Sequence, residues 1–157
     1  MQTTSATLSL ERSKSYRAIF WGGLIAGALD LTAAFVNSGL RGIGPMRVLL
    51  GIASGLLGAA AAKGGLATAV LGAVLHFFIA TVVTAVYYAA SRKLNLLIQQ
   101  AIVCGMVYGI AVYGFMNSIV VPLSAFPYKI PYNVAGLLIH ILCVGLPIAL
   151  VVRAHSK

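Results

Sequence analysis

Four long apolar stretches, at about residues 17–38, 66–90, 98–122 and 133–152, decide what kind of solvent this chain can fold in. A helix needs about 20 predominantly apolar residues to cross the hydrocarbon core of a bilayer, and each stretch provides them. The chain is 61% hydrophobic and 8% charged over 157 residues, with a mean hydropathy of +1.00. That is more apolar surface than a soluble core of this size can hide. The net charge of +9 does not point to nucleic acid, because the eleven Lys and Arg fall in short clusters between apolar runs and form no basic stripe. Cys104 and Cys143 both lie inside apolar runs, so no disulfide framework follows from them.

A fifth stretch, 45–62, would reach only about 27 Å as a helix and carries Arg47 near its start. Gly44 and Pro45 suit its opening, and Gly64 with Gly65 its close. The expected fold is an all-α membrane protein of four transmembrane helices in two similar hairpins, with 45–62 as a short interfacial or re-entrant helix. Residues 1–15, polar and rich in Ser and Thr, are expected to form a mobile cytoplasmic tail, and 16–157 a single transmembrane domain.

Four spans place Arg12, Lys14, Arg17, Arg92, Lys93, Arg153 and Lys157 on one side, against Arg41, Arg47, Lys63 and Lys129 on the other. The richer side is expected to be cytoplasmic, with both termini inside a bacterial inner membrane. If 45–62 also crossed, this asymmetry would vanish. Tyr16, Phe20, Trp21, Tyr87, Tyr88, Tyr128 and Tyr132 fall where interfacial aromatic belts belong. A cleaved signal peptide is the alternative for the N-terminus, but the apolar run continues through Phe35 and Val36, beyond an ordinary h-region.

The sequence also echoes itself. "GAVLH" (Gly72 to His76) and "GLLIH" (Gly136 to His140) repeat in the second and fourth spans. "GLIAG" (Gly23 to Gly27) and "GMVYG" (Gly105 to Gly109) repeat in the first and third, and "FVNS" (Phe35 to Ser38) and "FMNS" (Phe115 to Ser118) match after a two-residue shift. The pattern is that of a duplicated hairpin, a parallel repeat about an axis along the membrane normal. Chance matching among Gly and aliphatic residues is the alternative.

Asp30 is the residue that most needs a reason, since the chain has only two acidic side chains and this one stands mid-span. A central Asp costs about 2.5 to 3.5 kcal/mol on insertion scales. Helical spacing sets it on the small-residue face with Gly23, Gly27, Ala34 and Asn37, pointing into the bundle. The same counting sets His76 with Ala80 and Thr84, His140 with Gly136 and Cys143, and Asn117 with Gly109 and Tyr113. At 1.5 Å per residue the four lie about 8 to 15 Å from the outer end, so Asp30, His76, Asn117 and His140 are the candidate intramembrane polar site.

A carboxylate with imidazoles can pass protons near neutral pH or hold a cation, and such sets mark ion pathways. The plainer alternative is a non-catalytic scaffold or accessory subunit, in which Asp30 is paired with Arg41, Arg47 or a His and the polar groups tie helices together. A third reading is metal or haem, with His76, His140, Asp30 and Cys143 as candidate ligands, although no spacing is diagnostic and no cofactor follows from the sequence. Phosphate-binding loops, nucleophile elbows and His-Glu-x-x-His are absent, so nothing indicates an enzyme. Pro147 is expected to kink the fourth span just beyond Cys143. The expected partners are the lipid bilayer, a second copy or another membrane protein, and no nucleic acid.

Read together, "GGLIAGALDLTAAF", "LHFFIATVVTAVYY", "YGIAVYGFMN" and "LLIHILCVGLPIAL" resemble small bacterial four-span membrane proteins across about residues 18 to 153. The chain is more distantly similar to YagU-type inner-membrane proteins, which open with a "GLIAG"-like first span and carry histidines in later spans. That resemblance implies an inner-membrane location and an association with acid resistance. This chain departs from them in its shorter segment between the first two spans.

Overall fold

Side chains that face lipid leave the backbone to satisfy its own hydrogen bonds, and helices do this within one segment. The computed structural model describes the backbone of residues 2–128 and 131–156, with side chains from residue 15 onward, and no strand occurs among them. The side chains of Arg12 and Lys14, together with Lys129 and Lys157, lie outside the described residues.

Helix α1 runs Gln2–Gly39, so its backbone continues through the segment expected to be a tail. Helix α2 is Pro45–Leu57, followed by a 3₁₀ stretch over Gly58–Lys63. Helix α3 is Gly65–Ser91, α4 the single turn Leu96–Gln99, α5 Ala101–Leu123 and α6 Val134–His155. Among the described residues five segments are long and apolar enough to cross a membrane: Ser15–Gly39, Pro45–Lys63, Gly65–Ser91, Ala101–Leu123 and Val134–His155. Length and composition alone therefore do not set 45–62 apart, contrary to the expectation from its helical reach.

Its path does set it apart. α1 and α3 run antiparallel: a Cβ on Gly22 would meet Thr84, one on Gly23 would meet Thr81, and one on Gly27 would meet Phe77. Ser15 and Tyr88 hydrogen-bond at 2.6 Å across the other end of the pair. The end of α1 and the start of α3 thus share one end of the bundle, and α2 with its 3₁₀ extension leaves and returns there. Pro45 opens α2 in the first turn, where its missing N–H is no loss. Gly58 ends it at a φ of 61°, a left-handed value open to glycine. Gly55 O accepts from Ala125 N at 2.9 Å, which holds the end of α2 to the loop after α5. Midway, Gly72 of α3 lets the Leu49 backbone lie against it.

α5 and α6 form a second antiparallel pair through glycine. Gly145 fits against Gly105 and Gly109, and Gly109 lies on the backbone of His140 and Ile141. The four long helices are ordered α3, α1, α6, α5, with close backbone packing between successive members. α3 and α5 keep their backbones apart although only α4 and its short flanks connect them. At the α4 end, Tyr108 donates to Val83 O at 2.7 Å and stacks edge-on with Tyr87. Tyr87 is buried and donates to Leu97 O, so it belongs to the core and not to an interfacial belt. Tyr16, Phe20, Trp21, Tyr128 and Tyr132 are exposed.

Proline shapes both α5 and α6 in the same way. It has no N–H to give and its ring crowds the carbonyl four residues back, so the helix must break, kink or widen. α5 widens to π turns over Met116–Val120, two residues before Pro122 closes the pattern. α6 does so over His140–Gly145, again two residues before Pro147. The disturbance expected beyond Cys143 is thus a widened stretch that begins at His140 and leaves the helix continuous. π turns of this kind occur often at functional sites.

Candidate polar cavity

The close α1/α3 seam that Gly27 permits carries His76 to the middle of α1. His76 Nε2 lies 2.9 Å from the Gly27 carbonyl oxygen and 3.9 Å from Asp30 Oδ2. A carbonyl only accepts, so Nε2 carries a proton and donates it to Gly27 O. The Asp30 contact is an ion-pair approach, too long for a hydrogen bond. Asp30 accepts no hydrogen bond from any described residue. A carboxylate without donors inside a bundle depends on water, a proton or a cation for its stability.

His140 arrives from the opposite pair at the start of the widened stretch of α6. Its Nδ1 donates to Gly136 O at 2.8 Å, which leaves Nε2 as acceptor. Its ring lies edge-on to Tyr113, with centroids 5.2 Å apart. Tyr113 is itself fixed at the far end: its hydroxyl donates to Asn133 O at 3.0 Å and accepts from Asn133 N at 2.7 Å. Asn133 also caps α6 by accepting from Gly136 N at 2.7 Å.

Asp30, His76 and His140 line one cavity of about 130 Å³, together with Gly27, Ile52 and Met116. That is space for several waters. The polar groups are largely but not wholly enclosed, with side-chain exposures of 14% for His76 and 17% for Asp30. Asn117, the fourth expected member, does not line the cavity; its Nδ2 donates to Tyr113 O at 2.8 Å within α5. Ile52 of α2 and Met116 line it where Asn117 was expected, and Tyr113 lies against the His140 ring without lining the cavity. Tyr113 shares a helical face with Gly109, and that periodicity is the sequence signal that marks it.

The arginines proposed as charge partners are elsewhere. Arg41 is eleven residues beyond Asp30, about 16 Å along a helix, and its Nε donates to Asn37 O at 3.3 Å. Arg47 is exposed at the start of α2. The basic side chain that approaches Asp30 is His76, at 3.9 Å. Among the described residues no three of His, Cys, Asp and Glu cluster so as to hold a metal, and Cys143 is a free thiol outside the cavity wall.

The second glycine of "GLIAG", Gly27, touches the histidine of "GAVLH", and the second glycine of "GMVYG", Gly109, touches that of "GLLIH". The first contact is through the imidazole and the second through the His140 carbonyl. No protein-family model, curated protein or solved structure matches the chain.

Proposed function

We propose that this is a four-crossing membrane protein that handles protons or a cation at Asp30, His76 and His140. In this reading α1, α3, α5 and α6 cross, and α2 is re-entrant, because it begins and ends at one end of the antiparallel α1/α3 pair. Arg17, Arg92 and Arg153 then share an end with Ser15 and Tyr88, opposite Arg41, Arg47 and Lys63, which favours a bacterial inner membrane with both termini in the cytoplasm. The contacts of Gly27 with His76 and Gly109 with His140 support descent from a duplicated hairpin. Kinship with YagU-type proteins is part of the same proposal, and proton handling accords with their association with acid resistance.

One observation carries the functional reading: the Asp30 carboxylate on α1, given no hydrogen bond by any described residue, opens into a cavity shared with two imidazoles from different helical pairs. A scaffold would gain stability by replacing such a group. A site that exchanges its ligand needs the carboxylate unsaturated.

The test is proton flux into proteoliposomes carrying an entrapped pH dye, driven by a potassium diffusion potential. Wild-type protein is expected to conduct above protein-free vesicles, Asp30→Asn to fall to the vesicle background, and His76→Gln and His140→Gln each to slow the flux with helicity unchanged. Flux that is absent in wild type, or equal in all four proteins, overturns the proposal and leaves the scaffold reading in its place.

A further inference from the structure

We propose that the species taken up by this cavity is a lipophilic organic cation, which enters sideways from the bilayer through the gap between α3 and α5. The inference rests on the reading of Asp30 as an exchanging site and names its substrate class.

Between neighbours in the order α3, α1, α6, α5 the seams are closed by glycine or alanine, as at Gly27 and Gly145. The fourth seam, between α3 and α5, is a groove of about 510 Å³. This lies within the range of pockets that take drug-sized molecules. Its walls are hydrocarbon and aromatic, and Phe78 and Phe115 at its mouth are 64% and 55% exposed, toward where lipid would lie. The Tyr108 hydroxyl bond to Val83 closes it at the α4 end.

The groove and the polar cavity share Ile79, Val83, Val112 and Met116. A single layer of side chains therefore separates lipid from the Asp30 carboxylate. Met116, unbranched and flexible, stands in that layer at the start of the widened turns of α5. Charge decides among occupants. Asp30 is the acidic residue in the cavity lining, so an anionic phospholipid headgroup has no complementary charge there. A bare proton or hydrated ion makes no use of a 510 Å³ hydrocarbon trough. A cation with a large apolar body uses both parts, and the rings of Phe78, Phe115 and Tyr108 offer it cation–π contacts on the way.

The experiment is equilibrium binding of radiolabelled tetraphenylphosphonium to the purified protein in lipid nanodiscs. Wild type is expected to bind saturably, near one per chain, with neutral tetraphenylmethane failing to compete. Asp30→Asn should weaken binding by about tenfold or more, as should Ala111→Phe, which fills the groove. Ala111→Leu is the smaller filling change, and a graded loss is expected if the larger one disturbs folding. Val107→Phe, on a lipid-facing position outside the groove, should bind as wild type does. Binding that is absent, or that survives Asp30→Asn and both Ala111 variants, overturns the proposal. Proton flux that depends on Asp30 without tetraphenylphosphonium binding overturns it too, while leaving the proton reading of the cavity intact.

Discussion

Gly145→Ala is expected to destabilise the protein by about 3 kcal/mol, at the upper end of what overpacking costs. The added Cβ would stand well inside van der Waals contact of Gly105 O, Gly109 N and Gly109 Cα. Those are backbone atoms of a facing helix, and no rotamer change can move them aside. α5 and α6 would have to separate along the whole seam, losing the dispersion contacts that hold helices together where lipid is as apolar as the side chains. His140 would shift with α6, since Gly109 lies against its carbonyl. Gly114→Ala is the control, because a Cβ there meets nothing within 4 Å and a helical Ala is worth about 0.5 to 1 kcal/mol over Gly. Thermal unfolding in mild detergent, followed by circular dichroism, should show a large fall for Gly145→Ala and none for Gly114→Ala. Equal melting of wild type and Gly145→Ala would mean that the seam is not closely packed.

Asp30→Asn should act in the opposite direction, melting higher than wild type by the equivalent of about 1 kcal/mol while losing function. The asparagine loses no protein hydrogen bond, because the aspartate accepts none from the described residues. It removes a charge whose desolvation the 3.9 Å approach of His76 offsets only in part. Stability gained with activity lost is the signature of a group kept for its chemistry. A lower melting point would instead make Asp30 an anchor for His76 and α3, as a scaffold requires.

These expectations draw on features that the sequence displays unequally. The long apolar runs follow from hydropathy, and the glycine faces of α1 and α5 from helical counting, since both depend on local pattern. Asp30, His76 and His140 line one cavity. Asn117 does not, because it lies within the π turns over Met116–Val120, where each turn holds one residue more and a 3.6-residue register fails. Tyr87 has the composition and position of a belt residue, but which way it faces depends on Tyr108 and Leu97 from elsewhere in the chain. The path of α2 depends on Gly58 at a positive φ and on the Gly55 bond to Ala125, and neither is encoded in segment length. The open α3/α5 seam is an outcome of which helices pair, and no single run of residues records it.

The most direct test of the Asp30 cavity is infrared difference spectroscopy of the protein in lipid as the sample is acidified. The chain has two acidic side chains, so a carboxyl carbonyl band can be assigned to Asp30 by its loss in Asp30→Asn. The cavity account predicts that such a band appears reversibly in wild type and shifts in His76→Gln, whose imidazole stands beside the carboxylate. A spectrum in which no Asp30 band responds to acid would show that the group does not exchange protons with its surroundings, and would contradict the account.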